Sequence, residues 1–452
     1  MNTIKIINGK IPDFNQRKFV QQDIFIQEGK ITEIGKIYRE AQKVIDAQNR
    51  IVSPGFIDIH MHEENLMAEN YNYDIANYML NMGVTTCAGG NCGLSMTPLI
   101  DFISFVEKTG APTNYIMFTG YNNLREEAGY NDRYASIDSY AMGKIQKLIE
   151  RDIQAGAVGM SFGIEYSPGI SFEEIITASH AIPNTDYLLS AHYRYDEVRS
   201  KESIEEMIEI ANQTKIPFQI SHLGSAAAFG FMDDCLDTIR KARNEHIDIM
   251  ADCYPYDAFC TQIGSAVFDE GCLERWHRNY NDLLLTQPPY KNQRCTKEIF
   301  EDARKNYPNI LTVAFAMDEE EVIKALKEPF IMIASDGIYT NGQGHPRGAG
   351  TFPRVLGHFV REKNAIELLD ALEKMTKIPA QRLKLFQKGE IKEGMDADIT
   401  IFDDQTIIDQ ASFDKPNLKP QGIDYVLING KIAIENGIII HNANGKIIKK
   451  VL

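Results

Sequence analysis

The chain has 452 residues, of which 44% are hydrophobic and 24% charged, values that are ordinary for globular proteins and exclude a largely disordered chain. This length allows about three domains, or one large barrel with an accessory domain. The formal net charge of −16 is offset by no long basic run, so binding to a nucleic-acid backbone or an anionic membrane surface is disfavoured.

The sequence also bears on the compartment. It contains no window of about 18 apolar residues, and its N-terminus lacks the long apolar core of a signal peptide. Seven cysteines are an odd number in a chain long enough to form a large core, which disfavours a disulfide framework. We therefore expect a cytoplasmic protein that acts on a small molecule, without nucleic-acid or membrane partners; homo-oligomerisation is left open.

Short strands separated by turns are predicted at both ends of the chain. Residues 4–10 carry an Asn-Gly hairpin signal, and residues 23–30 repeat the pattern. Residues 396–402 and 425–433 show the same pattern of short strands and turns. Because nothing similar lies between, we expect the two termini to meet in one small β-domain.

The middle of the chain alternates between short apolar runs and amphipathic segments with helical spacing. Eight such runs, linked by crossover helices, predict a (β/α)8 barrel rather than a doubly wound sheet. A longer stretch, residues 257–329, exceeds an ordinary loop and predicts an inserted subdomain over the barrel mouth. The runs are residues 55–60, 84–92, 115–119, 157–162, 187–192, 218–222, 247–252 and 330–336.

Metal-ligating and proton-transferring residue types stand at the C-terminal ends of these runs, where a parallel barrel places its active site. Four of the ten histidines in the chain are among them. The residues are His60, His62, Cys92, His192, His222 and Asp336.

The spacing of these residues predicts a metal centre. His60 and His62 lie on one side of an extended chain, because strand side chains alternate with period two. Cys92, His192 and His222 supply a sulfur and two nitrogens, a set that suits zinc with an open fourth position. Asp336 is interpreted as a carboxylate that takes a proton from water and passes it to a leaving group.

These motifs resemble those of the amidohydrolase superfamily, and more closely those of its N-acyl-D-amino-acid deacylase (D-aminoacylase) family. The resemblance extends from about residue 3 to residue 440. The segments Gly90-Asn-Cys-Gly93 and His345-Pro-Arg-Gly-Ala-Gly-Thr-Phe-Pro-Arg354 are the most selective. The others are Pro54-Gly-Phe-Ile-Asp-Ile-His-Met-His62, Gly159-Met-Ser-Phe-Gly-Ile-Glu-Tyr-Ser-Pro-Gly169, Tyr254-Pro-Tyr256 and Ser335-Asp-Gly337.

The resemblance implies an α/β fold, a distorted (β/α)8 TIM barrel beside a small β-sandwich formed by both termini. The implied β-sandwich covers residues 1–53 and 385–452, and the barrel covers residues 54–384 with the insertion at 257–329. The implied activity is zinc-dependent hydrolysis of the amide bond of N-acyl-D-amino acids.

The resemblance also implies roles for the site residues. Cys92, His192 and His222 would hold a tightly bound zinc ion, while His60 and His62 would form a second, weaker site that Cys92 could bridge. Asp336 would be the general base and then the general acid. Arg347 and Tyr254 would grip the α-carboxylate of the substrate.

Several positions depart from the family pattern. Gly224 stands where many members carry a lysine, and Cys260 stands where a serine follows the Tyr-Pro-Tyr segment. Glu63 and Glu64 follow the two histidines, where an aspartate or serine is more usual. These changes leave hydrolysis intact but put recognition of a free α-carboxylate in question. Glu165 is interpreted in two ways, as a residue that selects a cationic substrate side chain or as an ion-pair partner of Arg194 or Arg199.

Three alternatives remain at this stage. One is a cyclic-amide hydrolase of the dihydroorotase or hydantoinase kind, against which the absence of lysine from residues 157–169 counts. Another is a mononuclear deaminase, whose ligand set overlaps this one. The third is a catalytically silent barrel used as a binding module.

Overall fold

The computed structural model describes residues 3–62 and 73–450, so Glu63 and Glu64 lie outside the described residues. The chain begins with strands that alternate buried isoleucines with more exposed residues, as in β1, where Ile4 and Ile6 are buried. The first five strands are β1 (Thr3–Asp13), β2 (Lys18–Gln27), β3 (Lys30–Gly35), β4 (Lys43–Asp46) and β5 (Ile51–Pro54).

The hairpin predicted at Asn8-Gly9 is wrong, because β1 runs straight through both residues. The register with β2 shifts between Ile6 and Gly9, and Asn8 adopts a φ of 59°, so the two residues form a bulge. A Cβ at Gly9 would lie 2.3 Å from Val52 Cγ2, which shows that glycine admits the neighbouring strand β5 here.

Parallel strands alternate with helices through the middle of the chain, and a strand overlaps each of the eight predicted runs. The first three runs form one parallel sheet, and the following strands form a second, six-stranded parallel sheet. The strands are β6 (Phe56–Asp58), β7 (Val84–Gly89), β8 (Asn114–Met117), β9 (Thr119–Gly120), β10 (Gly159–Gly163), β11 (Leu188–His192), β12 (Phe218–Ile220), β13 (Ile249–Cys253) and β18 (Ile331–Ile333).

Backbone hydrogen bonds join these two sheets on both sides. Val158 N, just before β10, donates to Met117 O of β8 at 2.9 Å, and Asp336 N, after β18, donates to His60 O, after β6, at 2.8 Å. The intervening helices pack their buried faces against the strands, in the pattern expected of amphipathic helices. They are α1 (Asp74–Asn81), α2 (Leu99–Thr109), α3 (Tyr121–Glu127), α4 (Ser139–Ala155), α5 (Phe172–Ser179), α6 (Ser200–Thr214), α7 (Leu223–Ala227) and α8 (Met232–Asn244).

The chain between β13 and β18, here called the inserted segment (residues 257–329), carries its own antiparallel sheet in the order β14-β17-β15-β16. Its last helix, α11, packs on α8 and on β18 and therefore resembles the outer helices of the parallel sheet. The elements are β14 (Phe259–Gln262), α9 (Cys272–Arg275), β15 (Leu283–Leu285), β16 (Gln293–Arg294), α10 (Lys297–Asn306), β17 (Leu311–Ala314) and α11 (Glu319–Lys327).

After β18 the chain forms four helical segments and then returns to the sheet that contains β1 to β5. β5 pairs with β21 and β1 with β2, so strands from both ends of the chain share one nine-stranded sheet. The remaining elements are β19 (Tyr339–Thr340), β20 (Gln343–Gly344), α12 (Arg347–Arg354), a π-helical segment (Val355–Glu362), α13 (Leu368–Met375), α14 (Lys377–Arg382), β21 (Ile399–Phe402), β22 (Ile423–Ile428), β23 (Lys431–Glu435) and β24 (Ile438–Ile439).

A buried charge cluster ties this sheet to the parallel strands. Lys388 forms ion pairs with Asp396, at 3.0 Å, and with Asp398. Asn114 of β8 donates from Nδ2 to Asp398 Oδ2 at 3.0 Å. Within the part of the chain that the structure describes, no helix combines the length and apolarity needed to cross a membrane.

Candidate metal centre and active site

All six residues predicted at strand ends come together at one end of the parallel sheets. His60 and His62 follow β6, Cys92 follows β7, and His192 is the last residue of β11. His222 and Asp336 follow β12 and β18. Every one of the six is buried.

Three of these side chains aim their donor atoms at a common point. Cys92 Sγ lies 3.3 Å from His222 Nε2, and His222 Nε2 lies 3.1 Å from His192 Nδ1. The three ligand atoms all lie within 4.8 Å of one another. A thiolate and two imidazole nitrogens at this separation form the donor set of a tetrahedral metal site with one open position.

A second cluster shares the Cys92 sulfur. His60 Nε2 lies 3.2 Å from Cys92 Sγ and 3.4 Å from Asp336 Oδ1. His62 Nε2 lies 3.0 Å from the same carboxylate oxygen. His60, His62, Cys92 and Asp336 thus form a second group of potential ligands within 4.8 Å.

The ring nitrogens that face away from the common point are held by other groups, which fixes which nitrogen is free for a metal. Glu165 Oε2 lies 2.9 Å from His192 Nε2, and Ser225 Oγ lies 2.8 Å from His222 Nδ1. Asp252 Oδ1 accepts from the backbone N–H of His222 at 2.7 Å and lies 3.3 Å from His60 Nδ1.

Sequence reasoning missed Asp252 and Ser225 as members of the site. Asp252 stands at the end of the run 247–252, so the strand-end rule that found the other residues could have included it. Ser225 lies one turn into α7, and its contact with His222 depends on local helix geometry that no spacing in the sequence signals.

Three site residues hold left-handed backbone conformations, which are rare outside glycine. The φ angles are 53° at Cys92, 33° at His222 and 47° at Asp336. Each costs about 1–3 kcal/mol and persists only where the surrounding structure imposes it. The three conformations occur where the chain turns after β7, β12 and β18, and the side chains of all three residues lie in the two ligand groups.

Neighbouring groups favour a thiolate at Cys92 and a carboxylate at Asp336. Burial opposes ionisation of Cys92, but the neighbouring His60 holds the pKa of its thiol well below the usual range. Burial likewise opposes ionisation of Asp336, yet Arg347 holds the pKa of its carboxyl well below normal. Burial lowers the pKa of His222, which favours the neutral imidazole that binds metals.

Arg347 lies beside this centre, fully inside the protein at 2% exposure. Its Nη2 lies 2.9 Å from Asp336 Oδ2 and donates to Cys260 O at 3.1 Å, while its Cζ lies 4.5 Å from the ring centre of Tyr254. Among the described residues, Arg347 Nε and Nη1 have no hydrogen-bond partner. The guanidinium therefore retains donors for a further acceptor.

A cavity of about 360 Å³ opens over the centre. Cys92, Asp336 and Arg347 line one part of it, and Cys260 and Thr261 of the inserted segment line another. The inserted segment thus forms part of the wall that a substrate would meet.

Proteins similar to this chain are found both by sequence and by structure. Residues 326–434 match an amidohydrolase family. An N-acyl-D-glutamate deacylase of Alcaligenes xylosoxydans xylosoxydans is 28% identical over 90% of this chain and 88% of its own length. A D-aminoacylase of the same organism is 27% identical over 94% of this chain and 93% of its own length. The crystal structure of N-acyl-D-glutamate deacylase from Bordetella bronchiseptica, complexed with zinc and a phosphonate inhibitor, superposes with a TM-score of 0.88 at 26% identity and covers 99% of both chains.

This chain is a relative of the N-acyl-D-amino-acid deacylases. Its fold is accordingly α/β, of the TIM-barrel type found in amidohydrolases. The L-hydantoinase of Arthrobacter aurescens shares that fold alone, with a TM-score of 0.66 at 16% identity over 100% of both chains.

One sequence-based interpretation is contradicted by the structure. Of the two interpretations of Glu165, the ion pair with Arg194 or Arg199 is wrong, because Arg194 pairs with Glu206 at 2.6 Å and Arg199 with Glu202 at 2.8 Å. Glu165 lies against His192 instead.

Gly224, which stands where many members of the resembled family carry a lysine, lies in tightly packed surroundings. A Cβ at Gly224 would lie 3.1 Å from both Cys253 Sγ and Met317 Cε. A side chain at Gly224 would thus enter tight packing around Cys253 and Met317.

Proposed function

We propose that this protein is a zinc-dependent amidohydrolase that cleaves the amide bond of N-acyl-D-amino acids or of closely related N-acyl compounds. The observation that carries the proposal is the convergence of Cys92 Sγ, His192 Nδ1 and His222 Nε2 beside the buried Asp336 carboxylate. Relatives named as deacylases over about nine-tenths of both chains support the same chemistry.

The donor set fits zinc, since a thiolate and neutral imidazoles are the ligands that zinc prefers. Cys92, His192 and His222 would hold the first ion, and His60 and His62 would hold a second, weaker one beside the shared sulfur. When bound, zinc supplies Lewis acidity, which polarises the amide carbonyl and lowers the pKa of the attacking water. Glu165 and Ser225 support the fit, because each engages the ring nitrogen that a metal would not use.

Asp336 is assigned the proton transfers. It accepts a proton from the attacking water as the oxygen–carbon bond forms, and then donates that proton to the leaving nitrogen as the carbon–nitrogen bond breaks. The products are a carboxylic acid and an amine, which at neutral pH become a carboxylate and an ammonium group when the acid proton passes to the amine. Arg347, at 2.9 Å, orients the Asp336 carboxylate and favours its ionised form.

The substrate carboxylate is assigned to Arg347 and Tyr254. The support is the pair of unused guanidinium donors, buried next to the Tyr254 ring at one wall of the cavity. Cys260 is assigned to the same wall through its contact with Arg347. Glu165, whose carboxylate lies against His192 and beside Arg275, is assigned to holding the metal ligand rather than to selecting a cationic substrate.

The proposal also includes the division of the chain into a barrel and a β-sandwich domain. The two parallel sheets are interpreted as one distorted (β/α)8 barrel over residues 54–384, with the inserted segment at its mouth. Residues 1–53 and 385–452 are interpreted as a β-sandwich domain. All seven cysteines lie in the described part of the chain and no disulfide bond joins any two of them, which supports the reducing cytoplasm as the compartment.

A substrate screen tests the function. The zinc-loaded protein is offered N-acetyl-D-amino acids, their L-enantiomers, hydantoins and dihydroorotate, and release of the amine or ring opening is measured. We expect turnover of N-acetyl-D-amino acids and little of the others. Turnover restricted to the cyclic amides would replace the proposal with a cyclic-amide hydrolase.

A further inference from the structure

We propose that Arg275, carried by the inserted segment, is a positioning residue that sets the metal affinity of the centre by holding Glu165 against His192. The inference rests on the metal site of the proposed function, and it adds a role for the inserted segment beyond lining the cavity. The inference rests on a series of contacts that begins at the proposed metal ligand His192, passes through Glu165 and ends at Arg275 in α9.

The first contact orients the ligand. Glu165 is 8% exposed, and its Oε2 accepts from His192 Nε2 at 2.9 Å. A proton held on Nε2 leaves the Nδ1 lone pair of His192 free, and Nδ1 is the atom that faces His222 and Cys92. The metal-binding form of His192 thus depends on where the Glu165 carboxylate lies.

The second contact holds that carboxylate. Arg275 Nη2 lies 3.6 Å from Glu165 Oε1, the oxygen that His192 does not use. Arg275 Nε lies 2.7 Å from Asp196 Oδ1, so one guanidinium faces two buried carboxylates. Burial raises the pKa of Asp196 to about 7; the neighbouring Glu165 adds to this rise, and Arg275 opposes it.

The third contact fixes the guanidinium to its segment. Trp276, the single tryptophan of the chain, donates from Nε1 to Asp196 Oδ2 at 2.6 Å. Its ring packs at 5.1 Å from Phe259 and 5.8 Å from Phe268, both in the inserted segment. Asp196 thereby links the loop after β11 to the end of α9, and Arg275 Cζ lies 5.3 Å from the centre of the Trp276 ring.

Loss of the Arg275 charge would leave the second carboxylate oxygen of Glu165 without the cation that faces it. The Glu165 carboxylate would then no longer be held against His192, and the ring would lose its fixed orientation. Removal of such supporting contacts typically lowers metal affinity about 10- to 100-fold. Because coupling between two sites is reciprocal, metal binding would in turn hold the inserted segment in place.

The test measures zinc affinity by competition with a chromophoric chelator, so it requires no substrate. For Arg275→Gln we expect about a tenfold or greater loss of zinc affinity. The variant R275K, which keeps the charge, should retain most of the affinity. The matched control is R304Q, since Arg304 belongs to the same segment and pairs with Asp269 at 2.8 Å; its zinc affinity should equal that of the unaltered protein.

A double substitution tests whether Arg275 acts through Glu165. If it does, adding R275Q to E165Q should lower zinc affinity little beyond E165Q alone. Equal zinc affinity of R275Q and the unaltered protein, or full additivity of the two substitutions, would overturn the inference.

Trp276 fluorescence gives a second measurement on the unaltered protein, which decides the matter even if R275Q fails to fold. Zinc binding should change its emission, because its hydrogen-bond partner Asp196 belongs to the same set of contacts. Zinc binding without any change in emission would contradict the inference. Failure of the unaltered protein to bind zinc would instead remove the proposed metal site itself.

Discussion

Replacement of Asp336 by asparagine tests the assigned proton transfers. Asparagine keeps the size of the side chain but cannot accept and return a proton. Loss of a general acid–base group typically lowers the rate about 10²- to 10⁴-fold, which corresponds to about 3–5 kcal/mol of barrier. The side chain is buried within 3.4 Å of His60 and 2.9 Å of Arg347, so bulk water is poorly placed to substitute for it.

The same substitution also has a structural effect that the assay must separate. Arg347 is buried, and removal of one partner of a buried ion pair destabilises proteins by about 3–5 kcal/mol. Turnover of an N-acetyl-D-amino acid is therefore normalised to folded, zinc-loaded protein, with the zinc content measured by elemental analysis. We expect normal zinc content, because Cys92, His192 and His222 are unchanged.

Asp152→Asn is the matched control for Asp336→Asn. Asp152 is fully buried and ion-paired with Arg151 at 2.9 Å, but it does not line the cavity. Its substitution should leave turnover per folded molecule unchanged. If D336N retained turnover within about tenfold of the unaltered protein, the assignment of Asp336 as general base would be wrong.

Further predictions concern metal, substrate and stability. Cys92→Ser should abolish tight zinc binding, since a hydroxyl does not replace a thiolate ligand; near-normal affinity in the chelator assay would refute the shared-sulfur site. Arg347→Met should raise KM for N-acyl-D-amino acids far more than for the corresponding amides without a carboxylate, and equal effects on both would remove the carboxylate contact. Lys388→Met should lower the free energy of unfolding by about 3–5 kcal/mol in urea titrations, because Asp396 and Asp398 lose their buried cation. Although burial opposes it, Lys388 holds the pKa of Asp396 below its unfolded value, so this stabilisation is present at neutral pH and should be lost as the pH falls below about 4; a pH-independent effect would contradict it.

The strand-end residues could be predicted because the rule behind them is geometric. Parallel strands that alternate with helices bring their carboxyl ends to one edge, so polar residues at those ends meet whatever the details of packing. His60, Cys92 and Asp336 come from distant parts of the sequence, yet His60 Nε2 lies 3.2 Å from Cys92 Sγ and 3.4 Å from Asp336 Oδ1.

Other features depended on tertiary contacts that the sequence does not encode locally. The turn signal at Asn8-Gly9 became a bulge, because the close approach of Val52 favours continuation of β1 over a hairpin. The interpretation of Glu165 as an ion-pair partner of Arg194 or Arg199 is wrong because Arg275 reaches Glu165 from α9, more than a hundred residues further along the chain. Nearness in sequence favoured Arg194 and Arg199, whereas the fold brings in the inserted segment.

The central claim is that amide hydrolysis at this site depends on a metal. It is tested most directly by measuring hydrolysis of an N-acetyl-D-amino acid by protein stripped with a chelator, before and after addition of one equivalent of zinc. The account predicts negligible turnover by the stripped protein and recovery on addition of zinc. Turnover that is unaffected by removal of the metal would contradict it.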